Sequence, residues 1–105
     1  MRQNTGRRSP RYPFRARLAV EWGSAVLGAE VCDLSREGMF LRIPQPLWVG
    51  ATFSARLALD EPIELDCVVR RVIPGHGMGV EFLQVPETTH FRLVSLLEEL
   101  STLAS

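Results

Sequence analysis

The run Asp33-Leu34-Ser35-Arg36-Glu37-Gly38 separates two apolar segments, 25–32 and 39–43. Its polar residues and its glycine are typical of a tight connection between two strands. Asp33 and Ser35 have the same parity, so on an extended segment their side chains point to one face. Gly38 supplies the backbone freedom that such a turn needs. Taken alone, the run is best interpreted as a turn in which the Asp and Ser side chains bond to the local backbone.

Alternating apolar residues on both sides of this run predict strands. From Phe14 to Trp22 every second residue is apolar, which indicates a half-buried strand that ends at Gly23-Ser24. Residues 25–34 predict the second strand, with a bend or bulge at Gly28. Further strands are predicted at 39–43, at 52–59, from 63 through 71 and at 79–83. Alternation slips at 68–71, which indicates a bulge there.

The C-terminal part changes to the helical period. Four leucines at positions 93, 96, 97 and 100 are spaced i, i+3, i+4 and i+7, which predicts an amphipathic helix. Six short antiparallel strands and one C-terminal α-helix describe a mainly β fold, a closed or nearly closed six-stranded antiparallel β-barrel. We expect residues 1–13 to form a flexible N-terminal arm and residues 14–105 to form the barrel and its helix. Leu47 and Trp48 are expected to plug one end of the core.

The charge of the chain is unevenly distributed. The 105 residues have a formal net charge of +0, yet residues 1–17 contain six arginines and no acid. The arm therefore resembles a binding segment attached to an acidic body. All twelve basic residues are arginine, whose planar guanidinium suits phosphate and guanine edges better than an ammonium group does.

Several classes of function find no support in the sequence. His76 and His90 are isolated from other metal-ligating residues, and no nucleophile elbow or phosphate-binding glycine loop is present, so we predict neither an enzyme nor a metal site. No segment is long and apolar enough to span a bilayer, and none resembles a signal peptide. Cys32 and Cys67 are expected to be two buried, reduced thiols in a cytoplasmic protein.

The arginines and the turn are complementary in chemical type. Arg7 and Arg11 are four residues apart, with Arg8 beside the first. Guanidinium groups bind phosphate and the O6 and N7 acceptors of guanine, while a carboxylate such as Asp33 accepts from the N1 and N2 donors of the same base. A ligand that combines guanine with phosphate would satisfy both sets.

This pair of motifs resembles the RxxxR and [DN]xSxxG signature of PilZ domains, bacterial receptors for the second messenger cyclic di-GMP. The resemblance extends to the run at 68–72, the strand at 79–82 and the closing helix. It implies that Arg7 and Arg11 bind the phosphates and reach guanine edges with support from Arg8. It also implies that Asp33 and Ser35 hydrogen-bond a guanine at the barrel surface, where Gly38 keeps the turn unobstructed.

Two further arginines are weaker candidates on the same resemblance. A basic residue on the fifth strand sometimes contacts the ligand in this family, which makes Arg71 or Arg70 a possible contact. A solvated strand face is the alternative for this pair. Gly6 precedes Arg7 where members that bind a stacked pair of ligands often carry a larger residue, so one or two ligands per protomer both remain open.

The resulting hypothesis is a receptor whose arm is mobile when free and is clamped onto the barrel by cyclic di-GMP, which changes the surface offered to a protein partner. The implied context is second-messenger control of motility or biofilm formation, with no cofactor and no membrane. One alternative is a small β-barrel that binds RNA or single-stranded DNA through its basic arm; it requires exposed aromatic residues on a strand face. Another is a PilZ-like interaction scaffold that does not bind nucleotide.

Overall fold

The computed structural model describes residues 9–104. Six strands close into an antiparallel barrel in the order β1-β2-β3-β6-β5-β4. The elements along the chain are β1 (Tyr12–Trp22), β2 (Ala25–Leu34), β3 (Gly38–Arg42), β4 (Thr52–Leu57), β5 (Ile63–Ile73), β6 (Gly77–Phe82) and α1 (Glu87–Ala104). The predicted barrel and C-terminal helix are confirmed. Predictions for residues 1–8 of the arm lie outside the described residues.

The first strand begins at Tyr12, two residues before the start of the sequence alternation. Pro13 pairs with Asp33 of β2, whereas β1 pairs with β4 only from Leu18 to Glu21. Pro13 has no N–H to donate, and it lies in a part of β1 that pairs with a strand on one side only. The arm consequently joins the barrel at the end of the β1–β2 pair that lies opposite the Gly23-Ser24 turn.

The barrel is filled by the inward residues of all six strands. All six strands and the helix contribute to the largest fully buried side chains. These include Val20, Val31, Leu41, Leu57, Val69, Met78 and Leu93. The helix packs against β1 and β5 through Leu93 and Leu97. The leucine stripe of the helix therefore covers the part of the core next to these two strands.

Three register shifts interrupt the strand pairing of the described residues. One is in β1 between Pro13 and Ala16, and the other two, in β2 and β5, determine which residues of those strands face outward. In β5 the shift between Val69 and Arg71 leaves Arg70 as the extra residue, which confirms the bulge predicted at 68–71. In β2 the shift between Val31 and Asp33 makes Cys32 the extra residue. The bend predicted at Gly28 is wrong, because Gly28 pairs regularly with Ala19 of β1.

The two tryptophans lie on the surface, which corrects two predictions. Trp48 is 57% exposed and Trp22 is 39% exposed, and their rings meet edge to face with centroids 5.2 Å apart. Only Leu47 of the predicted plug is buried. Trp22 is the last residue of β1, next to the Gly23-Ser24 turn, so the strand alternation continues to a position that the barrel no longer covers.

Both cysteines are free. Cys67 is buried in the core as expected, whereas the prediction that Cys32 is buried is wrong, because Cys32 is the extra residue of the β2 register shift and is only partly buried. Burial raises the pKa of the Cys67 thiol to about 12, and the neighbouring Asp66 carboxylate adds to this effect. Cys67 is therefore a neutral thiol at ordinary pH and acts as a small apolar residue.

Candidate functional site

The turn between β2 and β3 is built around the Ser35 hydroxyl. Its Oγ donates to the Gly38 carbonyl at 3.1 Å and accepts from the N–H groups of Glu37 at 3.3 Å and Gly38 at 3.2 Å. The Ser35 N–H also donates to the Gly38 carbonyl at 2.9 Å. Ser35 is 1% exposed, so the expectation that it faces outward with Asp33 is wrong. The parity rule fails here because Ser35 lies beyond the end of β2, in the turn itself.

Gly38 is required by the close approach of β3 to β6. A Cβ atom at this position would lie 2.0 Å from the carbonyl oxygen of Val80, which is backbone and cannot rotate away. The Phe82 N–H donates to the Glu37 carbonyl at 2.8 Å and ties the turn to β6 on the same side. Because Gly38 has no side chain, β3 can approach β6 closely at this position, and the turn stays against the sheet.

Asp33 reaches the outer surface because of the Cys32 bulge. Leu34, the next residue, points into the core, while the Asp33 side chain remains 34% exposed. Its Oδ1 accepts from Arg11 Nε at 2.9 Å and lies 2.7 Å from a second guanidinium nitrogen, Nη2. A carboxylate and a guanidinium, predicted from two distant motifs, therefore meet where the arm joins the barrel.

Four strands place one row of outward residues next to Asp33. The register pairs Asp33 with Phe40 of β3, Phe40 with Gly79 of β6, and Gly79 with Arg71 of β5. None of these residues belongs to the buried core, so the row runs across the outside of the barrel. The Arg71 guanidinium carbon lies 6.0 Å from the centroid of the Phe40 ring, within the range of a cation–π contact.

The arginines at 70 and 71 have different surroundings. Arg70 Nε donates to Glu81 Oε1 at 2.6 Å, so its charge is compensated on the barrel surface. Arg71 instead extends across Gly79, whose lack of a side chain leaves room for it. Of the two weaker candidates, Arg71 is the one that belongs to the same outer row as Asp33.

A second contact fastens the described end of the arm. Ser9 Oγ donates to Glu37 Oε2 at 2.6 Å, close to the Arg11 and Asp33 pair. Arg7 and Arg8 lie outside the described residues. Of the arm arginines that the sequence selects, Arg11 is the one whose position the structure gives.

Sequence reasoning missed Phe40 and Gly79. The alternation of β3 does predict that Phe40 faces away from Met39 and Leu41, but it does not reveal that β6 and β5 complete the row. That information is in the strand order, which pairs β3 with β6 rather than with β4, the next strand along the chain.

The remaining chemistry of the described residues is limited. From residue 9 to residue 104, no three His, Cys, Asp or Glu residues are grouped so that they could hold a metal ion. Within the same span, no helix is both long enough and apolar enough to cross a membrane. The outer row and Arg11 together offer a carboxylate, an aromatic ring and two guanidinium groups, which are suited to binding a planar, anionic molecule.

A sequence model of the PilZ domain matches residues 5–99. Similar solved structures include the PilZ domain of CeSA from a cellulose synthesizing bacterium, with a TM-score of 0.71 and 23% identity over 89% of this chain and 99% of that one. The PilZ domain of YcgR from Escherichia coli with c-di-GMP has a TM-score of 0.76 and 16% identity over 93% of each chain.

A longer YcgR structure, also from Escherichia coli and in complex with c-di-GMP, has a TM-score of 0.79 and 18% identity. The match covers 95% of this chain and 48% of that chain, so this chain spans about half of its length. At these identities the three structures show a shared fold. No curated protein sequence matches the chain significantly.

Proposed function

The chain belongs to the PilZ domain family, and we propose that it is a receptor for cyclic di-GMP in bacterial second-messenger signalling. The observation that carries the proposal is the contact of Arg11 with Asp33 on the outer face of the barrel. It joins the two motifs that recognise guanine and phosphate in this family. The proposal is also supported by the solved neighbours whose structures contain c-di-GMP.

Each motif residue has a role in this proposal. Arg7 and Arg11 bind the phosphates and reach guanine edges, and Arg8 supports them. Asp33 accepts from the N1 and N2 donors of a guanine once the ligand has displaced the Arg11 guanidinium from its Oδ1. Ser35 and Gly38 act through the turn that presents Asp33, because the Ser35 hydroxyl is buried and bonded within that turn.

The Arg11 and Asp33 pair acts as a weak latch. Both side chains are partly exposed, at 48% and 34%, and such surface pairs contribute only about 0.2–1 kcal/mol. A bidentate contact between arginine and guanine contributes roughly 1–3 kcal/mol. The ligand can therefore replace the latch, with Arg11 turning to phosphate or base and Asp33 to guanine. Binding would order the arm on the barrel and change the surface offered to a protein partner, which remains to be identified.

Two rival functions make different predictions. Binding of RNA or single-stranded DNA needs exposed aromatic residues beside the basic arm. Phe53 and Phe82 are buried, and the exposed Trp22 is at the opposite end of β1 from Arg11. The Phe40 ring of the outer row is only partly exposed and lies against Arg71, so this surface offers no stack of open rings, which favours cyclic di-GMP. A scaffold that does not bind nucleotide would not respond to any of these ligands. We place the receptor in the cytoplasm, in keeping with its two free cysteines.

Calorimetric titration with cyclic di-GMP, GTP and a short single-stranded oligonucleotide at physiological salt tests the proposal. We expect cyclic di-GMP to bind most tightly, and Arg11→Ala and Asp33→Ala each to weaken it by about 5- to 150-fold. Arg56→Ala is the matched control. Its guanidinium is 51% exposed and bonds Glu64 at 3.0 Å, in an ion pair between β4 and β5.

No heat with cyclic di-GMP at low micromolar protein would refute the receptor function. Equal losses in the Arg56 variant would show that the Arg11 effect is not specific to the site. Arm ordering is measured separately by trypsin cleavage after Arg7 and Arg8. We expect saturating ligand to slow this cleavage, and an unchanged rate would contradict the latch while leaving binding intact.

A further inference from the structure

The first half of the second strand has an unpaired edge. β2 pairs with β1 from Ala25 onward, but it pairs with β3 only from Glu30 to Leu34. β3 ends at Arg42, and Pro44, which has no N–H to donate, follows two residues later. The chain leaves the side of β2 at this point, so residues 25–29 have a neighbouring strand on one side only.

The register shows which backbone groups point to the open side. The Arg17 carbonyl accepts the Ala58 N–H, so the backbone groups of Arg17 point to β4, and its pair with Glu30 of β2 is not hydrogen bonded. Bonded and non-bonded pairs alternate along an antiparallel ladder, so Gly28 and Val26 are likewise not bonded to β1. Their N–H and C=O groups point away from β1, where no backbone bond within residues 9–104 meets them.

An open cleft of about 570 Å³ lies along this edge. It is lined by β2 at Gly28 and Ala29, by the chain after β3 at Ile43 and Pro44, and by the turn before β6. Gly28 has no side chain to cover its backbone, and an exposed strand edge of this kind is a template for a further strand. An extended segment placed in the cleft would supply the hydrogen bonds that β3 supplies to the second half of β2.

The charged side chains of the cleft are mostly basic. Arg17 of β1 and Arg42 of β3 are both register partners of Glu30, and His76 adds a third basic side chain to the lining. The Glu30 carboxylate lies 3.8 Å from Arg15, whereas neither Arg17 nor Arg42 has an ion pair in the described part of the chain. The cleft therefore favours a segment that carries carboxylates.

We propose that the β2 edge at Val26 and Gly28 is a docking site for an extended, acidic segment of a protein partner. The segment adds as a strand beside β2, and its carboxylates pair with Arg17 and Arg42. A second copy of this chain is disfavoured as the occupant because it would bring the same two arginines to the interface, and the arginine-rich residues 1–8 are disfavoured for the same reason. The inference goes beyond the proposed function and does not need the nucleotide, since these residues lie outside both motifs.

The test uses synthetic peptides and the full chain without cyclic di-GMP. The probe is a labelled seven-residue peptide in which valine alternates with glutamate, so that an extended conformation has one apolar and one acidic face. Fluorescence anisotropy should show saturable binding below about 1 mM peptide. A peptide with lysine in place of glutamate should bind at least about 10-fold more weakly, because it meets the arginines with like charge.

Strand addition is tested through the backbone. The valine-glutamate peptide is N-methylated at all valines or at all glutamates, and at least one of the two versions should bind about 5-fold more weakly, since it loses the donors that face β2. In the protein, the amide hydrogens of Val26 and Gly28 should exchange more slowly when peptide is bound, as measured by NMR. The amide of Leu27, which points to β1, is the internal control.

Protein variants test the same contacts from the other side. Arg17→Ala combined with Arg42→Ala removes two exposed charge pairs and should weaken binding about 2- to 30-fold, whereas Arg56→Ala, an exposed strand arginine outside the cleft, should not. Gly28→Pro removes an N–H that β1 does not use and should weaken binding about 2- to 10-fold. Gly28→Ala is its control, because it keeps the N–H and its Cβ meets no atom within 4 Å. Thermal unfolding identifies any variant that has lost its fold.

Four results would overturn the inference. They are absence of saturable binding, equal affinity for the glutamate and lysine peptides, equal affinity for the unmodified and both N-methylated peptides, and unchanged amide exchange at Val26 and Gly28 at saturation. A dimer in sedimentation that Gly28→Pro dissociates would show that a second copy is the occupant and would overturn the acidic segment. Because no nucleotide is added, none of these results affects the receptor proposal. A protein that binds the peptide but not cyclic di-GMP would refute the receptor proposal alone.

Discussion

Replacing Ser35 by alanine should reduce the stability of the whole barrel, because its hydroxyl is the internal acceptor of the β2–β3 turn. The hydroxyl is 1% exposed and receives the Gly38 N–H at 3.2 Å. In Ser35→Ala this buried N–H loses its side-chain acceptor. The Gly38 carbonyl retains the Ser35 N–H at 2.9 Å, and the Glu37 N–H lies in an exposed residue that water can reach. One buried donor is therefore the main loss.

An orphaned buried donor costs about 1–3 kcal/mol, so we expect the free energy of unfolding to fall by about 2 kcal/mol. For a chain of 105 residues the unfolding entropy is roughly 0.22 kcal/mol/K, and the loss corresponds to a decrease of about 9 °C in Tm. Circular dichroism measures the thermal transition, and urea unfolding followed by tryptophan fluorescence measures the free energy.

Ser54→Ala is the control for this experiment. The Ser54 hydroxyl donates to Asp66 Oδ1 at 3.0 Å on the barrel surface, and water can replace it there. Its loss should change the free energy of unfolding by no more than about 0.5 kcal/mol. If Ser35→Ala is as stable as Ser54→Ala, the hydroxyl does not hold the turn, and the role of Ser35 has to be sought in direct contact with the ligand.

Three further predictions concern the barrel. Gly38→Ala should destabilise the fold by about 3 kcal/mol or more, since the added Cβ meets the Val80 carbonyl oxygen at 2.0 Å; a urea midpoint equal to that of the wild type would contradict the close approach. Leu93→Ala should cost about 2–5 kcal/mol, because this helix residue is fully buried, and an unchanged Tm would show that α1 does not cover the core. The raised pKa of Cys67 predicts that folding stability is retained below about pH 9 and falls between pH 9 and about 12, as the unfolded chain loses a proton that the folded chain keeps. In Cys67→Val the decrease in folding stability above pH 9 should be smaller. A thiol reagent at pH 8 should label Cys32 before Cys67 in the native protein.

Local sequence patterns predicted most of the elements of this fold. A period of two residues identified the six strands and the slip at 68–71, since outward and inward positions alternate in any strand regardless of its neighbours. A period of 3.6 identified the helix with Leu93 on its buried face. The motif residues Arg11 and Asp33 could be selected because guanidinium and carboxylate groups suit one kind of ligand, and the structure does bring them into contact.

Features that depend on strand order and register could not be read from the chain. Alternation put Trp22 on the inner face, but the barrel ends before it, and Trp48 lies beside it on the surface. Ser35 has the parity of Asp33, yet the chain has left the strand there and the hydroxyl turns inward. Arg71 meets Phe40 because β6 lies between β5 and β3 and carries Gly79 at the crossing point. Pairing between strands that are distant in sequence is set by how the whole barrel closes. The residue types suited to guanine are visible in the sequence, whereas the surface that assembles them is a property of the folded barrel.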